Sequence, residues 1–137
     1  MKPQIRYRKD YKYQIVNEYQ VDIGILPELD VFTDFMALSK RGILTVLKGY
    51  SFDGPSGLTI DTKTFMRGAL IHDCCYQAIR LRHLPQGARL KADANLRKHC
   101  LEDGMCAIRA WYVYKCVRWF GGYAADPANK KQIITAP

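Results

Sequence analysis

The chain is predicted to be an α+β protein, with N-terminal antiparallel β-hairpins followed by about three α-helices, the first two antiparallel. Three observations predict this. Apolar and polar residues alternate through the first third. A stretch with three glycines and a proline in nine residues, Gly49 to Gly57, follows. Beyond it, apolar residues recur at helical spacing. A chain of 137 residues fits one domain, 1–137. Residues 1–48 are its β-rich part, 49–61 a glycine-rich loop, 62–122 its helical part and 123–137 a loose tail.

Tyr11, Tyr13 and Ile15 alternate with polar residues; Asn17-Glu18 breaks the run; Tyr19, Val21 and Ile23 resume it. This reads as a hairpin. A second hairpin is expected from Phe35–Leu38 through Ser39-Lys40-Arg41-Gly42 to Ile43–Leu47, because strand formers flank a turn. A helix capped by Asp61 or Thr62 should run to about Leu81. Its inward stripe is Phe65, Ala69, His72, Tyr76 and Ile79. Pro85 and Gly87 break the chain, and a second helix should span about Ala88 to Glu102, with Asp93, Leu96 and Cys100 inward. A third, about Met105 to Phe120, is aromatic and should end at Gly121-Gly122. Trp111, Tyr114, Trp119 and Phe120 are read as core and interface residues in preference to a lipid-binding plane.

The hydrophobic share, 48%, is that of a globular protein. No apolar run approaches the roughly 20 residues of a membrane span, and Met1 to Tyr13 lacks the apolar core of a secretory signal. The net charge of +8 favours anionic partners. The basic residues are dispersed, so a solvated basic surface is expected and sequence-specific nucleic acid is not. Cys74, Cys75, Cys100, Cys106 and Cys116 form no C-x-x-C pair. They are read as mostly reduced, buried, small apolar residues. His83 and His99 are read as surface residues.

His72 and Asp73 stand inside the apolar run Ala69–Tyr76. Such groups are costly to bury without partners. Antiparallel first and second helices can set His72 against Asp93, which would hold one imidazole nitrogen and leave the other to take a proton from water. Tyr76, one turn beyond His72, can donate to Asp93. Asp73 points about 100° away around the helix and can face the glycine-rich loop. Loop carbonyls and a carboxylate are oxygen donors, which suit Ca2+ better than Zn2+.

His72-Asp73-Cys74-Cys75-Tyr76 resembles the H-D-x-C-Y active-site helix of the secretory phospholipases A2. Phe52-Asp53-Gly54-Pro55-Ser56-Gly57 is similar to their calcium loop, and Asp93 to their second catalytic aspartate. The resemblance spans roughly 49–100. It implies His72 as general base, Asp93 as its orienter, Tyr76 as support, and Asp73 with the carbonyls of Phe52, Gly54 and Ser56 as calcium ligands. Asp53 and Ser56 depart from that loop, and Ala92 stands where many animal enzymes carry a disulfide cysteine, so no disulfide framework is implied. A second resemblance, over about 35–121, is to a phage and prophage family of unknown function. It rests on Gly49–Ser56, His72–Tyr76, Ala92-Asp93 and Val117–Gly121. In that family the loop Asp and Ser, here Asp53 and Ser56, recur with the His-Asp pair, which implies that Asp53 is a site residue.

The expected function is a phage-encoded, phospholipase-A2-like ester hydrolase. One alternative is a virion, tail or assembly protein acting by binding. Another is a transition-metal hydrolase of peptide or phosphoester bonds, holding zinc through Asp53, His72, Asp73 and Asp93. Anionic phospholipid, a membrane surface or phage structural proteins are the expected partners, in the host cytoplasm or the virion.

Overall fold

The computed structural model describes residue 5 and residues 7–9, 13–52 and 63–127. Among these, antiparallel strands come first and helices follow, the α+β architecture expected. One sheet orders β1 (Tyr7–Lys9), β2 (Tyr13–Ile15) and β7 (Ser51–Phe52) as β1-β2-β7. The other contains β3 (Tyr19–Asp22), β4 (Val31–Phe32), β5 (Met36–Leu38) and β6 (Ile43–Val46), in the order β3-β6-β5-β4.

The second predicted hairpin forms as β5–β6, in the register Met36↔Val46 and Leu38↔Leu44. Gly42 closes its turn at φ +84, a left-handed conformation that suits glycine. The first predicted hairpin does not form. β2 pairs with β1 and β7, and β3 pairs with β6. Alternation marks a strand and its buried face; it does not name the partner. Tyr19 lies opposite Val46, and both are buried, so the distant strand extends the core face. β7 falls inside the stretch read as loop, where two residues are too few for periodicity to register. Tyr11 and the expected cap residues of the first helix lie outside the described residues.

The helices are α1 (Lys63–Arg80), α2 (Ala88–Glu102), α3 (Ala107–Phe120) and α4 (Gly122–Ala125). The first three stand close to where spacing placed them. α3 ends at Phe120 with Gly121 as its cap, as expected; the short α4 then follows, and Ala125, expected in a loose tail, is fully buried. α1 and α2 are antiparallel. Gly68 lies against Leu96 and Cys100, His72 meets Asp93, and Tyr76 meets Arg89, so partner numbers fall as α1 advances. A methyl at Gly68 would sit 3.1 Å from both Cys100 Sγ and Leu96 Cδ1, so glycine permits this close crossing.

α1 is buried on nearly every side. Leu70, Ile71 and Cys74 pack into the cluster that includes Ile15, Leu38 and Val46 of the sheets. Phe65 and Ala69 pack with Leu96, Cys100, Ala110 and Val113 of α2 and α3. A helix packed between two apolar clusters lies inside the fold, and this one carries His72 inside with it. Arg67, 5% exposed, braces the assembly: it donates to Asp103 at 2.9 Å, Glu102 at 3.0 Å and the Tyr19 hydroxyl at 3.2 Å.

Several burial expectations are overturned. His99 is buried, whereas His83 is exposed as expected. Cys74, Cys75 and Cys100 are buried free thiols, but Cys106 is exposed and Cys116 half-buried. Trp111, Trp119 and Phe120 are 46%, 66% and 71% exposed, not core, and Tyr114 is half-buried. α3 buries Ala110 and Val113, and Trp111, Trp119 and Phe120 stand on its exposed side. Among the described residues, no helix is long and apolar enough to cross a membrane.

Candidate functional site

Burial of α1 and its antiparallel crossing with α2 place His72, Tyr76 and Asp93 together. His72 Nε2 lies 2.7 Å from Asp93 Oδ1, and the Tyr76 hydroxyl donates to the same oxygen at 2.6 Å. The His72 and Tyr76 rings lie 4.0 Å apart, centroid to centroid. Asp93 has no exposed surface, whereas His72 keeps 8%. The imidazole is therefore the member of the pair that meets the outside, and the carboxylate stands behind it.

Both oxygens of Asp93 are engaged. Oδ2 accepts from Arg118 Nη1 at 2.7 Å, and Arg89 Nε stands 3.9 Å away. Burial alone would raise the pKa of Asp93. Hydrogen bonds from His72 and Tyr76, the charge of His72 and the bond from Arg118 outweigh it and hold the carboxyl below its ordinary range. An ionised carboxylate only accepts, so Nε2 of His72 carries its proton toward Asp93. Nδ1 is then the basic nitrogen, and among the described residues it has no hydrogen-bond partner. Burial, and then the bond to Asp93, push the Tyr76 hydroxyl well above the usual phenol range, so it remains a donor.

Arg89 ties the third helix to the site. It donates to the Tyr76 hydroxyl at 3.1 Å and to the carbonyls of Val117 and Arg118 at 2.8 and 2.7 Å. Gly121 leaves room for this arrangement, since a methyl there would stand 2.5 Å from the Tyr76 hydroxyl. The two arginines were missed in the sequence. Arg89 had a signal, lying four residues before Asp93 on one helix face. Arg118 had none, because it arrives from another element.

Asp73 is half-buried; burial, then the charges of Cys74 and Asp73, raise the pKa of Tyr50. The Tyr50 hydroxyl donates at 3.0 Å to Gln77, one turn beyond Asp73. That bond joins α1 to the start of the glycine-rich stretch. Phe52 ends β7 with its ring buried against Tyr13 and Tyr50. Asp53, Gly54 and Ser56 lie outside the described residues. Among the described residues, no three His, Cys, Asp or Glu side chains come together as a metal-binding group.

The cysteines beside the site are poor nucleophiles. Burial, then the charges of Asp73 and Asp93, push Cys75 up to about 12, and burial raises Cys74 well above its ordinary value. What the arrangement offers chemically is a histidine oriented by a carboxylate, with a basic nitrogen directed away from it. No protein-family model, curated protein or solved structure matches this chain.

Proposed function

We propose that the protein is a hydrolase that activates water through His72, in the manner of the phospholipases A2 its active-site segment resembles. The observation that carries this reading is the buried His72–Asp93–Tyr76 cluster, in which one imidazole nitrogen is held and the other is left basic. His72 Nδ1 takes a proton from water as its oxygen attacks an ester carbonyl. The resulting imidazolium is stabilised by Asp93 and returns the proton to the leaving alkoxide as the tetrahedral species collapses. Tyr76 and Arg118 keep Asp93 ionised and in place. A cation held by Asp73 and the loop carbonyls of Phe52, Gly54 and Ser56 would supply positive charge for the oxyanion.

The test is fatty-acid release from anionic liposomes, with Ca2+ or chelator, by the wild type and His72→Ala. Release by the wild type that falls at least ~100-fold in the variant is expected for loss of a general base. Equal release by the two proteins rejects catalysis at this site. A zinc site using Asp93 is not favoured, because His72, Tyr76 and Arg118 already occupy both its oxygens. A second reading, a phage virion or assembly protein acting by binding, draws support from the large apolar side chains that the fold leaves exposed.

A further inference from the structure

Asp93 carries one negative charge, and two guanidinium groups stand at it. Arg118 Nη1 bonds Oδ2 at 2.7 Å, and Arg89 Nε lies 3.9 Å from the same oxygen. With His72 neutral, the cluster holds one positive charge more than its carboxylate cancels. The stretch that carries Arg118, from Gly104 to Ala125, contains no acidic residue to take up the excess. Arg89 is committed to the fold: Nε donates to the Tyr76 hydroxyl, and Nη2 to the carbonyls of Val117 and Arg118. Arg118 is placed differently. Among the described residues its guanidinium bonds through Nη1 alone, and its side chain is 28% exposed. Nε and Nη2 are not sealed from solvent either; the buried side-chain nitrogens without a partner, among the described residues, are Arg97 Nε and His99 Nδ1.

Nε and Nη2 form one edge of the guanidinium plane, the edge that offers two parallel N–H donors to a phosphate or a carboxylate. Nδ1 of His72 is likewise unbonded among the described residues and not sealed from solvent. His72 Nε2 and Arg118 Nη1 bond the two oxygens of one carboxylate, so they stand no more than about 8 Å apart. An oxyanion gripped by Arg118 therefore lies within a small molecule's length of the nitrogen that activates water in the proposed reaction. We propose that the Nε–Nη2 edge of Arg118 is an oxyanion subsite, and that the substrate of the His72 site carries a phosphate or carboxylate group seated there. Binding of the oxyanion follows from the guanidinium edge and the surplus charge; that the oxyanion is part of a substrate rests on the hydrolase reading. The bound anion also offsets the surplus positive charge, so His72 gains its proton during turnover against less repulsion.

The experiment follows the side-chain nitrogen resonances of His72 and Arg118 in the whole chain as inorganic phosphate is added. Both should shift saturably in the wild type. Arg118→Lys keeps a cation for Asp93 and lacks the fork, so phosphate, read at His72, should bind it at least about ten-fold more weakly. Lys91→Gln removes one exposed charge from α2 and should bind as the wild type does, which separates the subsite from the general attraction of a chain of net charge +8. Circular dichroism checks that the variants fold; Arg118→Gln replaces Arg118→Lys if that protein does not. Titrations with acetate and with monomeric dihexanoylphosphatidylglycerol tell a carboxylate, a free phosphate and a lipid headgroup apart by the tightest of the three. Resonances that respond to none of the three overturn the inference. So does equal phosphate binding by the wild type and Arg118→Lys, or an equal loss in Lys91→Gln. Saturable binding without fatty-acid release in the liposome assay rejects the hydrolase reading and leaves the subsite standing. Where release is seen, Arg118→Lys should raise KM for an anionic ester at least about ten-fold more than for its neutral analogue.

Discussion

Asp93 is a fully buried carboxylate, and its neighbours decide whether it is tolerated. Arg118 is the strongest test of this, because it alone of the two arginines bonds Oδ2 closely. Removing one partner of a buried pair leaves an uncompensated charge. Arg118→Met should therefore cost roughly 3 kcal/mol in urea unfolding. Adding Asp93→Asn to that variant removes the stranded charge and should recover part of the loss. His99 makes the second prediction at this scale. Burial, and then the charge of Arg67, lower its pKa from 6.5 to about 4, and among the described residues its buried Nδ1 has no hydrogen-bond partner. The unfolded chain binds the proton more readily, so His99 contributes fully above pH 6.5. That stability is lost as pH falls from 6.5 to 4 and changes no further below. The drop is about 3 kcal/mol at the ordinary cost per pKa unit. Melting temperature against pH should show it in the wild type and a flatter curve in His99→Leu. Asp93 has the opposite chemistry but the same sign. Its lowered pKa stabilises the fold above the ordinary carboxylate range, and that contribution is lost as acid protonates it.

At the level of elements, the site is a consequence of one helix crossing. Gly68 lets α1 and α2 approach, and that approach sets His72 within a hydrogen bond of Asp93. Gly68→Val must push Leu96 and Cys100 aside, so it should cost about 1–3 kcal/mol. It should also lower the proposed hydrolysis more than an equally destabilising change in the sheets, because it widens the His72–Asp93 distance on which the proposed reaction depends. Paired thermal melts and liposome assays would separate the two effects; turnover that tracks stability alone would count against the geometric role. The helices were legible because a period near 3.6 survives over fifteen residues. The His72–Asp93 encounter was legible because a short break between two such helices leaves few ways to pack them. β7 and the pairing of β2 were not, since two or three residues hold no period and partners lie far along the chain. The aromatic side of α3 was misread for a related reason: spacing reports a stripe, not whether anything faces it.

Across the molecule, α1 belongs to both apolar clusters, the one shared with the sheets and the one shared with α2 and α3. The two halves should therefore unfold together. Leu70 is fully buried within α1. Leu70→Ala should lose about 2–5 kcal/mol, with tryptophan fluorescence and circular dichroism moving in one coincident transition. Separate transitions would mean that the sheets and the helices are independent units. The same central placement puts His72 on a helix packed against both the sheets and the other helices.

By itself the amino-acid sequence determined the α+β order of the chain, the three long helices, and the inward faces that carry His72, Tyr76 and Asp93. These follow from local periodicity and from the cost of burying unpaired polar groups, both of which are written along the chain. Tertiary structure alone decided that Arg118 and Arg89 stand at Asp93, that His99 is interior, and that Trp111, Trp119 and Phe120 are exposed among the described residues. Each of these depends on which distant segment arrives next to the residue, and a contact between distant segments leaves no periodic trace in either one.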